Sequence, residues 1–170
     1  MIPNPILNGL ATGLPETTSA WSLADEAVAL SELRYRRLFE SAKDGILILD
    51  AESGTVVDVN PFLIELLGYS REAFLEKKIW ELGVFKDIVS NKEHFAELQQ
   101  KEYIRYEDKP LETVDGRHIN VEFVSNVYRV NHAKVIQCNI RDITQRVRAE
   151  ASITRLAMAV EQVAETIVIT

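Results

Sequence analysis

The feature that most constrains this chain lies in its last third. His118–Val130 alternates apolar and polar residues, with Ile119, Val121, Phe123 and Val127 on one face. A turn at Asn131-His132 follows, and Lys134–Arg141 resumes the alternation with Ile136, Cys138 and Ile140. Side chains of a strand point to opposite faces in turn, so this pattern predicts two long antiparallel strands with one apolar face. Tyr103–Val114, running up to the turn Asp115-Gly116, adds a third. A sheet apolar on one side must bury that side under another layer, and the rest of the chain has to supply it.

The cover is upstream. Gly45 punctuates, and Ile46-Leu47-Ile48-Leu49 reads as a short strand apolar on both faces. Asp50–Gly54 is a turn and Thr55–Val59 the returning strand of a hairpin. Asn60-Pro61 marks a helix start, and Phe62–Leu67 is a short helix stopped at Gly68. Ser70 caps a further helix, Arg71–Lys77, and Ile79–Val89 is an irregular apolar stretch with Trp80, Leu82, Val84 and Phe85. Ser90-Asn91-Lys92-Glu93 is a capping box for a helix to about Glu102, with Phe95 and Leu98 inward. The order is strand, strand, short helices, then three strands. With hairpins at both ends it predicts an α+β fold: a five-stranded antiparallel sheet with the helices on one face. A doubly wound α/β fold does not fit, because helices and strands do not alternate.

Helical connectors flank this region. Residues 1–21 read as a flexible lead interrupted by Gly, Pro, Thr and Ser. Ser22, with Asp25 three residues on, opens a connector helix over 22–43 with Leu23, Ala27, Leu30 and Leu33 in a stripe. After Thr144 a helix over 145–164 carries Ala149, Ile153, Leu156, Val160 and Val163 at spacings of 4, 3, 4 and 3. That is the seam of a two-stranded coiled coil. Leu23, Ala27 and Leu30, with Ile153, Leu156, Val160 and Val163, are therefore the expected dimerisation residues, giving a homodimer. Two heptads leave the alternative of a helix packing back on its own domain. The run Glu40–Ile48 is echoed at Glu161–Ile169, so 165–170 read as the start of a second repeat, or as a chance similarity.

Composition narrows the function. The net charge is −7 with no Lys/Arg cluster, which argues against nucleic acid or an anionic membrane as partner. The lone Cys138 excludes an internal disulfide and a zinc cluster. No run approaches the roughly 20 apolar residues of a membrane span, and residues 1–15 lack a signal peptide's basic region. A cytoplasmic location is the expectation. No histidine has Ser, Cys or carboxylate partners at a catalytic spacing, and no glycine cluster forms a phosphate loop. Catalysis is not expected of this chain. The phosphoacceptor box of a histidine kinase and the glycine–acid signature of a cyclase are both absent.

Several short motifs occur together. Asp44–Asp50, then Val59-Asn60-Pro61 and Leu67–Glu72, precede Asp115-Gly116-Arg117 and finally Arg141-Asp142-Ile143-Thr144. Together, from about Leu33 to Glu150, they resemble a PAS domain, of the kind found in bacterial and archaeal sensor histidine kinases and diguanylate cyclases. The domain itself is placed at 44–144. The resemblance implies a sheet in the order 2-1-5-4-3 that cups a small cavity under the short helices. It implies a module that senses a ligand, a cofactor or a partner and passes its state through flanking helices to adjacent signalling domains. Arg141, Asp142 and Thr144 match the family's junction between last strand and signalling helix. Asp142 and Thr144 also suit plain helix capping, by bonding free amides at the helix start.

The pocket that the alternation and the resemblance outline together is formed by Leu47, Leu49, Ile79, Phe95, Leu98, Val121, Phe123, Ser125, Cys138 and Ile140. All but Ser125 and Cys138 are purely apolar, so a small-molecule site and a filled core stand level. Among cofactors, the family's flavin photosensors carry a cysteine in the segment after the second short helix. Ile79 stands at that place, which excludes blue-light adduct chemistry. Haem members ligate iron through a histidine on the helix before the third strand, where His94 sits. It lies at the edge of the face set by Phe95 and Leu98, and a structural histidine suits it better. No cofactor is the first expectation, haem or flavin the remaining alternatives.

Overall fold

A computed structural model describes residues 17–89 and 92–168. The chain divides between Leu38 and Phe39 into two units. Most of α1 (Thr17–Ser41) lies in the first, and its last turn, from Phe39, belongs to the second. There follow β1 (Gly45–Asp50), β2 (Val56–Val59), α2 (Pro61–Leu67) and α3 (Arg71–Phe74). Two single 3-10 turns, Ile79–Glu81 and Gly83–Phe85, lead to α4 (Lys92–Gln100). Then come β3 (Tyr103–Glu112), β4 (His118–Val130), β5 (Ala133–Asp142) and α5 (Thr144–Val168).

The strands form one antiparallel sheet in the order β2-β1-β5-β4-β3, as the resemblance implies. The β4–β5 pairing places Phe123 opposite Ile140, Ser125 opposite Cys138 and Val127 opposite Ile136. These are the residues whose alternation demanded it. Pro110 lies in β3, an edge strand, where its missing N–H removes no ladder bond from a second neighbour. On the face toward the short helices lies a continuous core that includes Leu47, Leu49, Leu63, Phe74, Phe85, Phe95, Leu98, Phe123 and Ile136.

Asn60 sets the turn from sheet to helices. It caps α2 in extended backbone, with its side-chain oxygen accepting from the Leu63 amide, and Pro61 fills the first helical position. Gly68 ends α2 in the left-handed conformation that favours glycine. Gly54 is also left-handed (φ 70°), and a Cβ there would lie 2.4 Å from the Trp80 ring. The β1–β2 turn and the first 3-10 turn can approach this closely only without a side chain.

Several boundaries differ from the sequence expectation. The connector helix begins at Thr17, not Ser22, so Ser22 and Asp25 lie inside α1 rather than at a cap; the rest of the expected lead, 1–16, lies outside the described residues. Extending a formed helix costs one residue's ordering per hydrogen bond gained, so the added turn needs no new nucleus. α3 stops at Phe74, not Lys77. The Glu76 amide instead donates to the Val56 carbonyl (3.1 Å) and the Val56 amide to the Lys77 carbonyl (2.9 Å). Sheet-like bonds to β2 thus outcompete another helical turn. β3 ends at Glu112, because the Thr113–Arg117 turn takes over the backbone bonding. α4 ends at Gln100, and the capping box proposed for its start falls partly outside the described residues. α5 starts at Thr144 and continues to Val168, so positions 165–168 are helical and do not open a strand of a second repeat.

Replacing Asn60 with Ala should destabilise the fold by about 3–5 kcal/mol, the cost of an N-cap plus buried groups left unpaired. Urea unfolding followed by circular dichroism measures it. A loss under about 1 kcal/mol would show that water replaces the amide freely.

Candidate functional site

The sheet brings the expected pocket residues together. Leu47 and Leu49 from β1, Val121, Phe123 and Ser125 from β4, and Cys138 and Ile140 from β5 all point inward and are buried. Ile79 from the first 3-10 turn and Phe95 and Leu98 from α4 close over them. These side chains form one apolar cluster, and each large one contributes about 1.5–3 kcal/mol by leaving water.

Polarity enters this core at one cross-strand pair. Ser125 is 2% exposed and its hydroxyl has no hydrogen-bond partner of ordinary geometry; it stands opposite the Cys138 thiol. Burial pushes the Cys138 thiol up to about 12, the nearby Ser125 hydroxyl offsetting this only in part. At neutral pH the sulfur is therefore a protonated thiol, neither nucleophile nor metal ligand. Asn126, Gln137 and Asn139 lie on the other face, as parity requires, and the Gln137 amide donates to the Asn139 side-chain oxygen.

His94 is exposed on α4, while Phe95 and Leu98 of the same helix point into the core. It does not face the cluster in which a haem would have to sit. Among the described residues no group of three or more His, Cys, Asp or Glu is placed to hold a metal ion. A cleft of about 190 Å³ opens at the edge of the core, where Lys77, Glu81 and Tyr69 stand over Phe74, Leu82 and Val84. None of the expected pocket residues lines it.

The junction at the end of β5 is built from both neighbouring strands. Asp142 accepts from the Thr144 amide (2.8 Å), capping α5 as expected. The Thr144 hydroxyl does something else: it accepts from the Asn120 amide of β4 (2.9 Å), while the Ile143 amide donates to the Asn120 carbonyl (2.8 Å). The first turn of α5 is thus stitched to a strand rather than only capped. Arg141 pairs with Asp44 through two bonds, Nε to Oδ1 at 3.0 Å and Nη2 to Oδ2 at 2.7 Å. Beyond the junction α5 presents Ile153, Leu156, Val160 and Val163 to solvent, each at least 60% exposed. Leu23, Ala27 and Leu30 of α1 are exposed as well.

Sequence reasoning missed Asn120 and Asp44 as members of this junction, and saw in Asn60 only a helix cap. A buried-parity test would have singled out Asn60, next to a strand end. Nothing in the local pattern marks Asn120, whose part is played by its backbone.

Comparison with known proteins finds a model of the PAS domain matching residues 33–102. The methyl sulfide methyltransferase-associated sensor of Methanosarcina acetivorans is 28% identical over 129 residues, covering 76% of this chain and 13% of that protein. Diguanylate cyclase DgcM of Escherichia coli is 25% identical over 128 residues, covering 72% of this chain and 30% of it. The chain thus spans less than a third of either relative. Among solved structures, the PAS domain of an HTR-like protein from Haloarcula marismortui superposes with a TM-score of 0.60 at 25% identity, over 72% of this chain and 99% of that one. A domain of a sensory box sensor histidine kinase/response regulator from Geobacter sulfurreducens gives 0.54 at 29% identity, over 66% and 95%.

Three outcomes follow from this geometry. The Cys138 thiol should resist a thiol reagent at pH 8 until the chain unfolds, so labelling across a urea series should track the loss of circular dichroism. Because the folded thiol titrates above its ordinary 9.0, the fold should lose stability as pH rises from 9.0 toward about 12. Thr144→Val, which removes the acceptor for the Asn120 amide, should cost about 1 kcal/mol in the same unfolding assay.

Proposed function

Because this chain carries a PAS domain, a sensory module found in sensor kinases and diguanylate cyclases, we propose that it is the sensory and dimerisation unit of a multidomain signal-transduction protein of the sensor histidine kinase class. In this reading it acts in the cytoplasm, without catalysis of its own. A small molecule held between sheet and short helices, or a partner, sets the state of the sheet. α1 and α5, joined to their counterparts in a second copy, pass that state to an adjacent domain as a twist or a shift in register. Arg141, Asp142 and Thr144 carry it from β5 into α5.

The observation that carries this reading is the exposed seam on α5. Ile153, Leu156, Val160 and Val163 stay in water along one helix face, on an element stitched directly to the sheet. A stripe of this kind is normally covered, and a parallel or antiparallel second copy of the same helix covers it with matching periodicity. No described helix is long and apolar enough to cross a membrane, so the seam is not explained as a span.

A second reading has its own support. The core is packed with large apolar side chains, Phe74, Phe85, Phe95 and Phe123 among them, and among the described residues Ser125 is its one buried hydroxyl without a partner. That favours a ligand-free interaction and transmission adaptor. A haem- or flavin-bearing sensor ranks third, since His94 is exposed.

Native mass spectrometry of the freshly purified chain separates these readings. Added mass per protomer, released on denaturation, supports a ligand sensor; a dimer with no added mass supports the adaptor; visible colour supports a cofactor. Leu156→Lys should shift the dimer to monomer in sedimentation while leaving the circular dichroism of the sheet intact. A wild-type chain monomeric at high concentration would count against the dimer.

A further inference from the structure

Arg141 stands between two carboxylates. Its bidentate pair with Asp44 is the shorter contact, and its Nη1 lies 3.7 Å from Glu122 Oε2, outside hydrogen-bond range. Glu122 faces it directly across the β4–β5 ladder and is only 7% exposed. Arg105 of β3 supplies a direct, charge-assisted bond to the other Glu122 oxygen. Asp44 precedes Gly45, the residue paired with Ile140 at the end of β5. Its backbone carbonyl is held by the Asn60 side chain, so the carboxylate projects from a fixed point of the domain.

We infer that Arg141 is a latch on the exit helix: clasped to Asp44 it holds the end of β5 against the entry of β1, and Glu122 is the alternative partner that receives it when β5 shifts. The role of the latch in transmission rests on the reading of α5 as the output helix. Its chemistry suits a two-position element. Guanidinium stays charged throughout, pairs with either carboxylate by side-chain rotation, and never has to be left without a counter-ion between them. Asp142, Ile143 and Thr144 follow immediately, so an Arg141 that lets go of Asp44 frees the end of β5, which runs through the Asp142 cap into the first turn of α5.

The test is amide hydrogen exchange, read by NMR on the whole 170-residue chain. In Asp44→Asn the Ile143, Thr144 and Val147 amides should exchange about threefold faster than in wild type, with the Phe123 amide of β4 unchanged. In Asp44→Asn/Glu122→Gln they should exchange faster still, because the alternative partner is gone as well. Asp58→Asn, which removes the comparable exposed pair of Asp58 with Arg71 at 2.7 Å, should leave the junction amides unaltered. Equal exchange in Asp44→Asn and wild type overturns the latch, and so does a parallel rise at Phe123, which would mean general destabilisation. Sedimentation of the same samples reports the dimer separately, so a monomeric wild type refutes the dimer while the exchange rates still decide the latch.

Discussion

The rest of the domain depends on the Asn60 side chain. It is fully buried, and its amide is saturated: the oxygen accepts from the Ile46 and Leu63 amides, the nitrogen donates to the Phe39 and Asp44 carbonyls. One residue thereby joins the end of α1, the entry of β1 and the start of α2. A buried polar group is stabilising only when its bonding capacity is met, and here each bond also satisfies a backbone group that would otherwise be orphaned. Through this amide the sheet's first strand and its first covering helix share one origin. Asp44, held at the same point, is placed to reach across to Arg141.

From that origin the architecture divides by face. The inner face of the sheet is almost wholly apolar, and the short helices and 3-10 turns exist to keep it dry. They are short because each is interrupted by a demand from the sheet: Gly68 closes α2, and the strand-like bonds of Glu76 and Lys77 to Val56 truncate α3. The outer face is polar and ionic on the three long strands, with Ile46 and Ile48 of β1 beside them. Arg105, Glu122, Arg141 and Asp44 form a line of charges across the three long strands to the entry of β1. The Arg141–Asp44 pair, largely open to solvent, contributes little to stability, about 0.2–1 kcal/mol, which makes it fit for exchange rather than for support. A fold with a rigid apolar side and a re-pairable ionic side is suited to altering the exit of β5 without losing its core.

α5 and its seam complete that logic. The helix begins under three constraints from the sheet, the bonds of Asp142, Ile143 and Thr144, and then leaves it with its apolar stripe uncovered. Movement at the strand end has a direct path into the helix backbone, and a second copy bound along the stripe would share it.

The sequence by itself determined the sheet and its facing. Period-two alternation in β4 and β5 assigned Ile119, Val121, Phe123, Ser125, Ile136, Cys138 and Ile140 to one side, because a strand has no other way to bury them. It also determined where α2 begins and ends, since Asn-Pro and Gly act through local backbone chemistry. Tertiary structure decided what local chemistry leaves open. The Thr144 hydroxyl bonds a β4 amide instead of its own helix, and α3 yields its last turn to β2. Arg141 selects Asp44, nearly a hundred residues away in the chain, and Ser125 is left unpaired opposite a thiol. Each of these depends on which groups meet in space after the strands pair, and no periodicity along a single segment encodes that meeting.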